Sequence, residues 1–177
     1  MARVPTGVLG LVGTVCRLGL AGVWLASGLI KAGDTGQTVA AVRAYQVLPA
    51  ALVGPVAGVL PFLELALGAL VLVGIGQRLL GVLSALLLLM YIAGVAQSWA
   101  RGLTIDCGCF GGGGQVAAGQ THYPQEILRD LGFLLLAGWL TLRPRTSWSV
   151  DGLLGRDRRA VVDTRPPSRS AAGSTSS

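Results

Sequence analysis

Apolar residues run along this chain in four long blocks with polar breaks between them, from about Val8 to Ile30, Ala50 to Gly74, Leu79 to Ala100 and Ile127 to Leu142. A helix needs about 20 apolar residues to cross a bilayer, so three blocks span comfortably and the fourth is short. The pattern predicts an all-α membrane protein, a four transmembrane helix bundle. Pro55 and Pro61 should bend the second helix near its start, a lesion that neighbouring helices can compensate. Small residues such as Gly19, Gly22, Gly68 and Gly81 recur through the blocks and permit close helix contact.

Composition agrees with that reading. Of the 177 residues 52% are hydrophobic and 12% charged, about half the charged share of a soluble domain. The net charge of +6 would suit nucleic acid, but the arginines sit at block edges and in the tail with few aromatics among them. Their placement reads as membrane orientation, with no nucleic-acid partner. Arg3, Arg78 and the arginines from Arg143 to Arg169 fall on one side, against Lys31, Arg43, Arg101 and Arg129 on the other. The positive-inside rule therefore predicts cytoplasmic termini and an extracytoplasmic loop after the third helix. The first block is too long for a signal core and lacks a good cleavage site, so a retained helix is expected. Residues 1–145 form the predicted membrane domain; residues 146–177 read as a disordered basic cytoplasmic tail, too poor in apolar residues to offset ordering entropy.

Two outer loops carry the irregular sequence. Val39 to Leu48 has the spacing of a short amphipathic helix at the interface, ending before Pro49. In the second loop, Asp106-Cys107-Gly108-Cys109-Phe110-Gly111 places two of the three cysteines one residue apart. An extended backbone holds such residues near the upper limit of the roughly 4.4 to 6.8 Å allowed between bridged Cα atoms, so closure needs a bend, which Gly108 permits. A small strained ring, if accessible, is the labile or catalytic kind of disulfide. Cys107 and Cys109 are thus candidate thiol–disulfide oxidoreductase residues, with an inert loop staple and Cu(I) binding as alternatives. No His or Met cluster completes a soft-metal shell, and no metal site is expected. Asp106 should oppose a thiolate at Cys107, whereas Arg101 and the start of the last helix should favour one. Cys16 reads as a packing residue, Asp130 as a helix-start acid in reach of water, and Tyr45, Trp99 and Tyr123 as interfacial anchors.

Inside the membrane, Arg17 and Glu64 each fall about 14 to 15 Å deep when counted from the cytoplasmic helix ends. They are expected to pair, because a lone charge at mid-bilayer is costly. Their pair is either a structural ion pair that fixes helix register, or a proton relay or polar wall of a membrane-quinone pocket.

Arg17 to Gly28 followed by Lys31, Tyr45 to Pro49, Pro61 to Glu64 and Cys107-Gly108-Cys109-Phe110-Gly111 together resemble the MauE family of methylamine-utilisation membrane proteins, itself similar to DoxX proteins. The likeness covers roughly residues 8 to 142, and the cysteine block is its most specific part. It implies a DoxX-like four-helix protein of the bacterial cytoplasmic membrane, associated with thiol redox. In methylamine metabolism such proteins support maturation of the disulfide-rich small subunit of methylamine dehydrogenase alongside a thioredoxin-like extracytoplasmic partner. A membrane scaffold that recruits an oxidoreductase, its cysteines only stapling their loop, is the alternative function.

Overall fold

The computed structural model describes residues 6–143, and the predicted tail lies outside them. The described chain is helical apart from one short hairpin: α1 (Thr6–Gly33), α2 (Thr35–Ala44), α3 (Ala50–Val73), α4 (Gln77–Ala100), β1 (Ile105–Asp106), β2 (Gly114–Gln115) and α5 (Tyr123–Leu142). The four long helices lie within a few residues of the apolar blocks that predict them. Three of them, α1, α3 and α4, are long and apolar enough to cross a membrane. By contrast, α5 carries Glu126, Arg129 and Asp130 in its first turns.

Local chemistry sets the breaks. Asp34 separates α1 from α2 and caps the latter, its Oδ1 accepting the Gln37 N–H at 2.9 Å. This cap starts α2 before the apolar spacing from Val39 would. The helix also stops earlier, at Ala44, because Gln46 takes a positive φ of 52° and Pro49 follows. On the opposite end of the bundle, Gly74 closes α3 in the left-handed region, donating its N–H to Leu70 O. Pro55 and Pro61 lie inside α3, which remains one helix through both.

Close contacts lock α1 antiparallel to α3. A methyl at Gly68 would sit 2.8 Å from Leu25 Cγ, and one at Gly28 would sit 2.9 Å from Pro61 O. A second such seam joins α4 to α5, where a methyl at Gly81 would lie 3.0 Å from Ala137 O. The small residues act as backbone contacts in both places. Between the seams, Leu20, Trp24, Val71, Leu88 and Leu140 form the main core, and the Trp24 indole donates to Ser84 Oγ at 3.0 Å. Cys16 belongs to this core, as a packing residue should. Leu11, Phe62, Leu79, Leu86 and Leu135 point outward and are more than half exposed. An apolar exterior around a bundle of this kind marks a membrane protein.

Candidate functional site

The cysteine loop folds back over the end of the bundle where α1 finishes and α5 begins. Its base is the hairpin, with Ile105 opposite Gln115 and Asp106 opposite Gly114. Tyr123 anchors it from α5, donating to Leu103 O at 2.5 Å and accepting the Ile105 N–H at 3.1 Å. The Cys107–Cys109 turn then rests on α2. Gly108 has φ 70°, and a Cβ there would lie 3.0 Å from both Ala41 Cβ and Gly113 Cα; at Gly113, with φ 95°, it would lie 2.7 Å from Ala41 Cβ. Both positions therefore require glycine, for conformation and for space. The Gln37 amide donates to Gly113 O, and the Tyr45 hydroxyl donates to Cys107 O at 3.2 Å. Gly108→Ala is expected to destabilise the protein by about 1 to 3 kcal/mol and to speed alkylation of both thiols. Thermal unfolding in detergent and timed maleimide labelling check this, and an unchanged pair of readings would show that the turn tolerates a side chain.

Both cysteines are free thiols and both are buried, at 7% and 6% exposure. The accessibility that the sequence reading made a condition of lability is therefore lacking in this arrangement: the turn lies against Ala41 of α2 at Gly108 and Gly113, and the Tyr45 hydroxyl holds Cys107 O. The environments of the two sulfurs differ. Cys107 Sγ accepts the Cys109 N–H at 3.4 Å and the Arg129 Nη2–H at 3.5 Å. A hydrogen bond from the Cys109 thiol, with help from Arg129, pulls Cys107 below the usual thiol range against the opposing effect of burial. Cys109 is pushed well above that range, because its proton is held by Cys107 and its thiolate would be desolvated. The arrangement is one nucleophile beside one proton-bearing partner. Burial also raises Tyr45, which stays a phenol and a donor.

The cation beside Cys107 is Arg129, whereas Arg101 binds Gln46 O at 3.4 Å and Gln97 Oε1 at 3.1 Å. Arg129 is fixed by Asp130 Oδ1 at 3.1 Å and lies 4.9 Å from the Phe110 ring centre. Asp130 is thus a buried ion-pair partner, which corrects its reading as an acid reaching water. Glu126 Oε1 accepts the Cys107 N–H at 3.4 Å. Asp106, Cys107 and Glu126 bring three ligand atoms within 4.8 Å of one another. The guanidinium on the same sulfur suits a bare thiolate better than a metal-bound one, since it would repel the cation.

Behind the turn lies a buried polar cluster. Lys31 Nζ uses its three donors on Ser27 Oγ at 2.6 Å and on Glu64 Oε1 and Oε2 at 2.7 and 2.9 Å. The Tyr91 hydroxyl also donates to Glu64. Ser27 Oγ has two acceptors in reach for its single proton, Cys109 O at 2.9 Å and Glu64 Oε2 at 3.0 Å. So the backbone of Cys109 is tied to the ion pair. The expected Arg17–Glu64 pair is corrected here: Arg17 lies fourteen residues before Lys31 on α1, about 21 Å along the axis. With Leu25 opposite Gly68 in the antiparallel seam, Arg17 falls level with the far end of α3.

A cavity of about 490 Å³ completes the site. Cys107, Gly108 and Cys109 form one wall, Lys31 and Tyr91 another, and the remainder is mostly apolar, including Val56 and Leu60 of α3 and Met90 of α4.

Residues 9–143 match the family described as methylamine utilisation protein MauE. The chain belongs to the MauE family. No significantly similar curated protein or solved structure is found. The match covers all four long helices of this MauE chain and the cysteine loop between α4 and α5. Sequence reasoning singled out Cys107, Cys109 and Glu64 but did not set Lys31, Ser27, Tyr91 and Arg129 beside them, where the structure places them. One signal was available: Ser27 and Lys31 stand four residues apart, on one helix face, in a segment too apolar to carry a lysine without a partner.

Proposed function

We propose that this MauE-family protein is a thiol–disulfide redox protein of the bacterial cytoplasmic membrane, exchanging electrons with an extracytoplasmic thioredoxin-like partner through Cys107 and Cys109. The observation that carries the reading is the asymmetric pair itself: a Cys107 sulfur that accepts from Arg129 and from its neighbour's N–H, one residue from a thiol that keeps its proton. In this reading α5 is the fourth span, the termini are cytoplasmic and the cysteine loop lies outside. The Cys107–Cys109 disulfide is attacked by a partner thiolate at one sulfur, which forms a mixed disulfide and releases the other cysteine as thiolate. The partner's second thiolate then attacks the mixed disulfide; the partner leaves oxidised, and Cys107 and Cys109 are left as two thiols. The resemblance to methylamine-utilisation proteins supports a role in maturing a disulfide-rich extracytoplasmic enzyme.

Single variants test the reading. Cys109→Ser, which keeps Cys107, is expected to accumulate a reductant-sensitive adduct with a thioredoxin-like protein in membranes of the native host, identifiable by mass spectrometry. If neither Cys109→Ser nor Cys107→Ser yields an adduct at normal expression, exchange is ruled out. Wild-type function in the double serine variant would favour the scaffold instead.

A further inference from the structure

The cavity beside the cysteines needs an occupant. It lies at the end of the bundle that carries the cysteine loop, and two of its lining residues, Val56 of α3 and Met90 of α4, are exposed at 37% and 54%. A molecule dissolved in the bilayer reaches such an opening without crossing water. Its polar lining includes Lys31 and Tyr91, both joined to Glu64, with Asp34, Gln37, Thr38 and Tyr45, in the same cavity as the two cysteines. The described lining contains no other lysine or arginine. An apolar body and a polar, electron-accepting head are the two halves of one ligand class.

We infer that this cavity binds the ring of a prenylated quinone and that the quinone is the oxidant that regenerates the Cys107–Cys109 disulfide. The inference rests on the redox reading above and names the electron acceptor that reading requires. The step balances. The Cys107 thiolate adds to a ring carbon, forming an S–C bond and placing the electron pair on the ring oxygens. The Cys109 sulfur, on losing its proton, attacks Cys107 Sγ, so that the S–S bond forms as the S–C bond breaks. The ring leaves carrying two electrons, and the two protons given up by the thiols convert it to the hydroquinone. Lys31 lines the same cavity and, by giving up one of its bonds to Ser27 or Glu64, would meet the negative charge that develops on the ring oxygen. The third cysteine, Cys16, is buried in the core of the bundle and is not among the residues that line this cavity, so a relay through a second cysteine pair has no site among the described residues.

The test uses the full protein in lipid vesicles with a short-chain ubiquinone analogue. Wild type is expected to form one hydroquinone for each pair of thiols lost. Val56→Trp and Met90→Trp, which narrow the flank of the cavity, should slow quinone reduction at least tenfold and by a clearly larger factor than they slow exchange of the disulfide with dithiothreitol. Leu63→Trp, equally exposed on α3 but outside the cavity, should match wild type in both assays. Intact dithiothreitol exchange with no quinone reduction would overturn the quinone assignment and leave the redox reading standing. Normal quinone reduction in both flank variants would overturn the cavity as its site. Absence of dithiothreitol exchange in folded wild type would overturn both.

Discussion

Lys31→Met is expected to destabilise the protein by about 3 to 5 kcal/mol, because it leaves the fully buried Glu64 carboxylate with hydroxyl donors but no cation. Glu64→Leu should do comparable damage from the other side, stranding an ammonium whose three donors now point at one serine and an apolar side chain. The double variant Lys31→Met/Glu64→Leu should be less damaging than the sum of the singles by well over about 1 kcal/mol, since neither charge remains. Denaturant unfolding in mixed micelles reads all three. Additive losses would mean that the two side chains do not meet. A second readout follows from Ser27, which joins Glu64 to the Cys109 carbonyl. Either single change should loosen the turn and speed alkylation of Cys109, even at temperatures far below unfolding.

The same pair shows where the sequence is legible and where it is not. Helix positions follow from a one-dimensional property, the length of apolar runs, and α3 and α4 begin and end within about two residues of the blocks that predict them. Partnership between helices depends on axial stagger, which those runs do not encode. Counting depth from the cytoplasmic ends sets Arg17 beside Glu64; the contacts at Gly68 and Gly28 slide α1 until Lys31 reaches that carboxylate instead. The first turns of α3 line the cavity together with α2 through Val56 and Leu60. The cysteine turn was legible because Gly108 must bend whatever surrounds it. Its cover was not, since burial of both thiols needs α2 to offer Ala41 and the hairpin to return the chain beneath it. Arg129 escaped for the same reason: from sequence Arg101 is the nearer cation, and only the folding of the loop onto α5 brings Arg129 to the sulfur.

Arg129→Gln is expected to move the alkylation profile of Cys107 to higher pH and to slow its reaction at pH values below the new pKa. The sign follows from charge: the guanidinium donates to Cys107 Sγ and favours its thiolate, so a neutral amide leaves less thiolate at any pH below the new pKa. Because the Arg129 side chain is about one-third exposed, solvent screening moderates the effect. In the wild type, iodoacetamide should mark Cys107 well before Cys109, which holds its proton to higher pH; peptide mass spectrometry over a pH series resolves the two sites. Arg129→Lys should recover part of the rate, limited by the loss of the fixed guanidinium geometry at Asp130 and Phe110. Above the pKa of Cys107 in both proteins the Gln variant and wild type should react equally fast. A gap that persists there would mean that Arg129 controls access to the sulfur rather than its charge, and the asymmetry on which exchange depends would then need another source.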